Sequence, residues 1–505
     1  MNIGDNDIII FNPNYRIKND LNRQILYAAN STIDSSYNFS LKWRSTIHPF
    51  FGELFNMFDS SLPFGKVCEL LCEQFNLSKI SMANILSPFV ENEEGFYTEY
   101  MGAKIKFPKK TLVRLKDGEV CATATVNRPQ IEKYEYRDQQ VDLSFDRFRK
   151  APDNILFVLT TKCPVNCAYC YCDKKTHYKP LSIERIYHII DEAYQLGVSY
   201  IDTVGGEIFS HPHWDKIVKK LVDMDMSPSY ISTKTPVTPR ILSQLSQTGY
   251  KGVIQFSLDS LSEEILMKTI QAWPNYKKEF IDGVRLLDNH NYRIQVNTRL
   301  TSLNCNPDQI NMLYSFIQTI NNLEYWEIRI ANDSLYPQEA WNSIKPTPKD
   351  LKDIFSYIND NIALSSHIKL LVSDNALSLP KRCLRMGHRN IEGGICGMLQ
   401  DRMVILPDGK VTACEELYWH PHYIIGDLNN SSISEIWQSK EVHSLLNPKK
   451  ESFSGHCSVC DQFSECTNLR NRCPVKTIRA FGKEKYGFPD PRCQFAPPFN
   501  TNKYI

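Results

Sequence analysis

The chain has 505 residues, 42% of them hydrophobic and 23% charged, which is enough apolar material for roughly two to four packed domains. Lys plus Arg number 58 against 57 Asp plus Glu, so no global field draws nucleic acid or an anionic membrane, and neither is expected as a partner. The opening MNIGDNDIII carries acids where a secretory signal needs positive charge, and no apolar run is long enough to span a bilayer; the cytoplasm is the expected compartment, where sixteen cysteines point to metal or redox chemistry rather than disulfides.

Residues 1–148 read as a block of their own. DIIIFNPNYRIKNDLNRQILYAA suggests short strands joined by Asn/Pro turns, three helical stretches are expected within residues 49–92, and FYTEYMGAKIKFPKKTLVRL reads as a hairpin. Strands, three short helices and a wing predict a small winged-helix-like module.

From residue 154 short β-branched or aromatic runs alternate with amphipathic stretches, the signature of repeated βα units and of an α/β fold. The runs are NILFVLT, VSYIDTV, SPSYIST, GVIQFSL, YRIQVNT and YWEIRI. Ser182 should cap the first helix and Gly197 should end it in a left-handed conformation, while Thr238 and Pro239 should open a later one. A full eight-stranded barrel takes ~250 residues, so the ~180 here suit a partial (β/α)6 TIM barrel at residues 149–345. KPTPKD then breaks the pattern, residues 346–380 read as a helical bridge, and residues 381–505, rich in Cys, Pro, Gly and Asn, are expected to lack a core of their own and to need metal to fold.

Cys68, Cys72, Cys121 and Cys305 are scattered in ordinary contexts and read as small buried hydrophobes. The others cluster. CPVNCAYCYC sets Cys163, Cys167 and Cys170 in a C-x3-C-x2-C loop just past the first strand. Three thiolates can hold three irons of a cubane and leave the fourth open to a non-protein ligand; zinc or a redox pair are the plainer uses of such a loop. Cys172 is extra to the pattern and reads as a spare thiol. VGGEIF, at the end of the second strand, offers Gly205 and Gly206, which let backbone approach a ligand closely, and Glu207, which can pair with an ammonium group. Near the C-terminus Cys396, Gly409 and Cys414 follow C-x12-G-x4-C, with DGK as a tight turn bringing the thiols together. Cys457, Cys460 and Cys466 follow C-x2-C-x5-C, with Cys473 and Cys493 behind.

The cysteine loop resembles the signature of the radical S-adenosylmethionine (SAM) superfamily, including the aromatic Tyr169 just before its last cysteine. That resemblance implies a cluster on Cys163, Cys167 and Cys170 whose open iron binds SAM and splits it to a 5′-deoxyadenosyl radical. Glu207, with Gly205 and Gly206, would hold the SAM amino group. FSLDS, where Ser260 replaces the family's glycine, would put Ser257 against the methionine moiety. Ser232, Asn297 and Lys268, the last where relatives often carry Arg, are further implied contacts, polar caps on barrel strands being the alternative.

The C-terminal cysteines resemble the SPASM domain, which implies two auxiliary clusters and three [4Fe-4S] clusters in all, a zinc ribbon being the alternative. Cys396, Cys414 and Cys473 would hold the first, and Cys457, Cys460, Cys466 and Cys493 the second. Cys383, the one cysteine here without a place, is expected to complete the first. TNLRNR puts six residues between Cys466 and Cys473 where the family usually has three, and is expected to bulge outward without displacing Cys473.

SPASM-bearing relatives mostly modify peptides, and the N-terminal block resembles the leader-peptide recognition domain of ribosomal-peptide maturation. The expected activity is hydrogen abstraction from a precursor peptide followed by a C–C or thioether cross-link, with reduced flavodoxin or ferredoxin as electron donor. Oxidation of a sulfatase Cys or Ser to formylglycine, or a non-catalytic iron–sulfur partner that only binds peptide, are the alternatives. No catalytic acid or base can be chosen without geometry.

Overall fold

The computed structural model describes residues 4–28, 43–100, 102–115, 141–336, 339–363, 368–373, 396–468, 470 and 472–499. Cys121 and Cys383 lie outside the described residues. Two compact units form, Met1–Asp153 with Ile190–Ser199, and Asn154–Ile189 with Tyr200–Ile505.

In the first unit, β1 (Ile9–Phe11) leads to β2 (Tyr15–Asp20), β3 (Arg23–Ala28) and β4 (Arg44–Ile47), which pair as an antiparallel sheet in the order β2-β3-β4. Helices α1 (Pro49–Asn56), α2 (Phe64–Phe75) and α3 (Lys79–Leu86) follow, then the β5 (Phe96–Tyr100) and β6 (Ala103–Phe107) hairpin, and β7 (Leu112–Arg114), which pairs with β1. Local chemistry sets these boundaries. His48 accepts from Phe50 N at 3.2 Å to cap α1, Pro49 follows as its first residue, and Asn76 ends α2 in the left-handed region. The core is aromatic: Phe51, Phe55, Phe89 and Phe107 interlock with centroids 4.8–6.4 Å apart, each ring adding about 1.5–3 kcal/mol by burial. Buried Arg23 donates to Asp20 at 2.9 Å and to the Arg147 carbonyl at 2.7 Å, which holds the segment after residue 141 onto the β2–β3 turn. Lys18 pairs with Asp153 at 2.7 Å, and Ser199 donates to the same carboxylate at 2.8 Å.

In the second unit the six anticipated runs are strands: β8 (Asn154–Thr160), β9 (Tyr200–Gly205), β10 (Tyr230–Thr233), β11 (Val253–Ser257), β12 (Ile294–Leu300) and β13 (Leu323–Ile330). Helices alternate with them: α4 (Ile183–Gln195), α5 (Trp214–Asp223), α6 (Pro239–Thr248), α7 (Glu263–Ile270), α8 (Tyr276–Asn289) and α9 (Pro307–Ile317). Ser182 caps α4, Gly197 takes φ +70°, and Thr238 caps α6 ahead of Pro239. The strands are parallel in two ladders, β8-β9 and β10-β11-β12-β13. Between the ladders the Asp202 carboxylate accepts the backbone N–H of Ser229 at 2.8 Å and its hydroxyl at 2.5 Å, a side-chain substitute for a strand pairing.

Four further strands were not anticipated. After the short α10 (Trp341–Ile344) and α11 (Pro348–Tyr357), β14 (Leu370–Ser373) adds in parallel to β13, so the stretch read as a helical bridge also extends the sheet. β15 (Arg402–Ile405) pairs in parallel with the other edge of β8, and β16 (Lys410–Thr412) and β17 (Ile424–Asp427) continue antiparallel. The C-terminal segment is therefore not coreless. Val404, Leu406, Val411, Tyr418, Ile436 and Trp437 are buried around β15–β17, α12 (Ile433–Trp437) and α13 (Lys440–Leu446). The expectation holds only further on: among the described residues from 443 to 473, which include α14 (Phe463–Asn468) but not the following α15 (Pro474–Phe481), none is buried. Among the described residues no helix is long and apolar enough to cross a membrane.

Candidate functional site

β8 delivers the chain to the cysteine loop, and α7 clamps that loop from outside. Asn166 N–H donates to the Ile270 carbonyl and Ala168 N–H to that of Thr269, each at 2.9 Å. Asp173 gathers Lys175 N, Thr176 N and the Thr176 hydroxyl at 2.7–3.1 Å, turning the chain back. Cys163, Cys167 and Cys170 lie close enough that their charges act on one another. Burial pushes the Cys167 thiol up to about 12, with the Lys234 charge opposing it; a bound metal would supply the missing positive charge and take the thiolate. Cys172 couples to Cys170 alone of the three. It is buried among Leu156, Val158, Val404, Leu406 and Tyr418, and desolvation raises its thiol to about 12, as suits a small packing residue.

The glycines serve the loop rather than an open approach. A Cβ on Gly205 would sit 2.3 Å from the Thr160 carbonyl oxygen, and one on Gly206 would sit 2.4 Å from that of Lys162 and 2.5 Å from that of Thr161. The end of β9 thus packs backbone to backbone on the residues leading into Cys163. Glu207 follows, buried, accepting from Thr233 Oγ1 at 3.0 Å, Lys234 N at 2.9 Å, Thr235 N at 3.2 Å and Phe209 N at 3.3 Å. Desolvation outweighs these bonds and holds its carboxyl above the ordinary range. One carboxylate so places the end of β10 against the end of β9.

The face of β10–β13 opposite helices α8 and α9 is polar in rows set by the register. Ser232 accepts from Gln255 at 2.8 Å, and Gln255 accepts from Gln295 at 3.0 Å. One step on, Ser257, Asn297 and Glu327 lie abreast, with Asn297 Nδ2 donating to Glu327 at 2.8 Å and Asn297 Oδ1 buried without a partner among the described residues. Next come Asp259, Arg299 and Arg329. Buried Asp259 accepts from Tyr169, from Lys234 at 2.9 Å and from Arg299 N at 2.9 Å. Tyr276 donates to the Lys234 carbonyl at 2.7 Å and feels the charges of Cys167, Asp259 and Glu207.

Tyr169, Glu207, Ser232, Ser257 and Asn297 thus belong to one connected region with the cysteine loop. Lys268 does not. It lies on the exposed face of α7, paired with Glu264 at 2.6 Å, because the i,i+4 spacing offers it a partner in solvent. The cation that meets the buried Asp259 is Lys234, itself partly buried. Lys234, Asp259, Tyr276 and Arg299 were given no role from sequence; Asp259 stood inside the quoted FSLDS, whereas Lys234 and Tyr276 had no local pattern to mark them.

The C-terminal cysteines form two sets. The β15–β16 turn closes at Gly409, φ +88°, with Leu406 N bonded to Lys410 O at 2.8 Å, and Cys473 falls within electrostatic reach of both Cys414 and Cys396. Cys396 N donates to the Arg470 carbonyl at 2.9 Å, and Cys473 N to Asp490 at 2.8 Å. Cys457, Cys460, Cys466 and Cys493 form the other set; burial raises Cys457 to about 12 and Cys466 to about 11. Glu415, next to Cys414, is raised by burial and faces Arg402, Asp202 and Arg329, and its charge reaches Tyr171 beside Cys170. Among the described residues no three His, Cys, Asp or Glu side chains converge as ligands of a single metal ion. The fit to iron–sulfur groups rests on the donors: a thiolate triad beside a strand end, a second triad and a thiolate quartet.

Residues 157–317 match the sequence model of the radical SAM superfamily, and residues 396–461 that of SPASM, an iron–sulfur cluster-binding domain. The mycofactocin maturase MftC of Mycolicibacterium smegmatis is 22% identical over 356 residues, spanning 69% of this chain and 84% of its own. The PqqA peptide cyclase of Bradyrhizobium diazoefficiens is 23% identical over 304 residues, 58% of this chain and 74% of its own. Among solved structures, Streptococcus suis SuiB bound to its precursor peptide SuiA shares the fold over 96% of this chain and 100% of that one, with a TM-score of 0.59 and 11% identity.

Proposed function

We propose that this chain, a radical SAM enzyme with a SPASM domain, matures a ribosomally made precursor peptide by joining two of its atoms in a C–C or thioether cross-link. The observation that carries the reading is the first unit. Its order of a three-stranded antiparallel sheet, three helices and a hairpin supports reading residues 1–148 as a winged-helix-like leader-binding module, in which the β4 edge of that sheet would take an extended leader as an added strand. Likeness in fold to SuiB, solved with its precursor peptide, supports this.

The remaining domains in this reading are a partial six-unit barrel at residues 149–345, a bridge at 346–380 and the SPASM domain at 381–505. Cys163, Cys167 and Cys170 hold the SAM-binding cluster, and the two C-terminal sets hold auxiliary clusters, making three. When bound, the first cluster and SAM supply the hydrogen-abstracting radical. The chain's own residues position and exclude water. Glu207, whose Oε1 accepts only from Phe209 N among the described residues, keeps a lone pair there for the SAM ammonium, Ser232, Ser257 and Asn297 line the same face, and the Tyr169–Asp259–Lys234 group locks the cysteine loop to β11. Glu415 is the group we assign to accept the proton released as the cross-link closes. A flavodoxin or ferredoxin supplies the electron, and the cytoplasm is the setting.

Anaerobic incubation with dithionite, SAM and a leader-bearing precursor peptide that the first unit binds should release 5′-deoxyadenosine and lower the peptide mass by two hydrogens. Peptide returned unmodified while SAM is cleaved at full rate would overturn the cross-linking assignment.

A further inference from the structure

Alternation along β12 puts Arg299 on the same polar face as Gln295 and Asn297. The parallel register then sets Asn297 abreast of Glu327 and, two residues on, Arg299 abreast of Arg329. Glu327 serves both rows: one oxygen accepts from Asn297 Nδ2 at 2.8 Å, and the other accepts from the Arg329 guanidinium. Arg329 also lies within reach of the Glu415 charge. The second carboxylate on this face, Asp259, is filled by Tyr169, by Lys234 at 2.9 Å and by the backbone N–H of Arg299 at 2.9 Å. The Arg299 guanidinium, partly buried, has no hydrogen-bond or ion-pair partner among the described residues.

Two guanidiniums abreast on neighbouring strands repel unless an anion answers them, and Glu327 answers only one. Beside Arg299, the Oδ1 of Asn297 is buried and also without a partner among the described residues, on a side chain that is 5% exposed. A buried acceptor and a half-buried cation each lose hydration with nothing in return until a ligand fills them. Both lie on one face, so the ligand that suits them brings a carboxylate and an N–H together, as a peptide does. SAM carries an ammonium and a carboxylate on one carbon, but in the proposed reading its ammonium goes to Glu207, at the end of β9. Arg299 is three strands further on, about 14 Å along the sheet, while the SAM carboxylate stays beside its ammonium.

We propose that Arg299 selects the segment of the precursor that reaches the radical, pairing through its guanidinium with a carboxylate of the peptide while Asn297 Oδ1 accepts an N–H from the same segment. The carboxylate belongs to an acidic side chain or to the peptide's C-terminus. The proposal rests on the reading of this chain as a peptide maturase, and names the chemistry its substrate must present.

The test is ligand-observed saturation-transfer NMR on the anaerobically reconstituted full-length enzyme with three probes. N-acetyl-glutamate α-amide carries only a side-chain carboxylate, N-acetyl-glutamine only a terminal one, and N-acetyl-glutamine α-amide neither. A carboxylate probe should bind at least about tenfold more tightly than the neutral one, and which of the two does so tells the side chain from the terminus. This comparison needs only the wild-type enzyme. Arg299→Gln should abolish the preference, and Arg299→Lys, which keeps the charge without the planar fork, should fall between. Equal binding of all three probes, or a preference that survives in Arg299→Gln, overturns the proposal. So does a loss of SAM affinity in Arg299→Gln, by equilibrium dialysis, with the probe preference intact, since that would give Arg299 to the SAM carboxylate. A wild-type enzyme that neither binds SAM nor releases 5′-deoxyadenosine would instead refute the maturase reading, and the probes tell the two failures apart because their binding requires no turnover.

Discussion

Replacing Gly206 by Ala asks whether the Gly-Gly-Glu segment serves a ligand or the protein's own backbone. The added Cβ would lie 2.4 Å from Lys162 O, 2.5 Å from Thr161 O and 2.7 Å from Thr161 C. Ordinary contact begins near 3.4 Å, so the strand leading into Cys163 must retreat by about 1 Å, and no side chain can absorb the move because all three atoms are backbone. Overpacking of this kind costs about 1–3 kcal/mol, and a 1 Å misplacement of reacting groups costs roughly 10²-fold in rate. Gly206→Ala should therefore lower Tm, reduce iron bound per chain and slow 5′-deoxyadenosine release about a hundredfold. Gly397→Ala, whose Cβ meets nothing within 4 Å among the described residues, is the matched control. If the glycine instead made room for SAM alone, Gly206→Ala would weaken SAM binding while iron content and Tm stayed at wild type, and that result would refute the packing argument.

Lys234→Met strands the buried Asp259 carboxylate without its 2.9 Å partner, which should cost about 3–5 kcal/mol; the Lys234→Met/Asp259→Leu double variant should recover much of it, and a single variant as stable as wild type in urea would count against the pair. His211 is buried, and desolvation lowers its imidazole to about 4 from 6.5. Between those values the unfolded chain takes a proton that the folded chain refuses, so this stability is present above pH 6.5 and lost as pH falls toward 4. His211→Gln should flatten the difference between urea midpoints at pH 7 and pH 5, and an unchanged difference would dismiss it. Chelating the iron should expose residues 443–473 to hydrogen exchange first, since none of the described ones is buried, while β15–β17 around Trp437 stay protected; uniform loss of protection would show that the whole domain depends on metal.

The six strands β8–β13 were legible because each is a β-branched or aromatic run with its own turn chemistry, and the cysteine sets because their spacing is local. What escaped is non-local. β15 reads as an unremarkable RMVI inside a cysteine-rich stretch, and only pairing with Asn154–Phe157, far back in the chain, makes it a strand. That same pairing gives the C-terminal segment the core its composition did not suggest. Glu415, Asp259, Lys234 and Arg299 come together from separate strand ends, and no spacing rule links them. Lys268 shows the converse: it matched a family position, yet its helix points it into solvent beside Glu264.

The ladder also fixes how far the radical chemistry lies from the first auxiliary set. β15 runs parallel to β8 with Arg402 opposite Asn154, and Thr412 of β16 stands opposite Val404. The pairing ends at Thr412, and Cys414 lies two residues on, in the bend that leaves β16 at the Asn154 end of β8, whereas Cys163 follows that strand's other end at Thr160. Six steps of about 3.3 Å separate those ends, about 20 Å in all. No side chain crosses that span. The groups coupled along it are Tyr171 near Cys170, then Glu415, with Arg329 and Arg402 beside it. In the proposed reaction, a peptide radical formed beside Cys163, Cys167 and Cys170 would have to lie between the two sets for its surplus electron to reach the second, with Glu415 placed within the same span to take the accompanying proton. Dipolar EPR between the reduced centres should return a separation of about 20 Å; a much shorter one would mean that Cys414 lies at the other end of β8 and that the substrate need not sit between them.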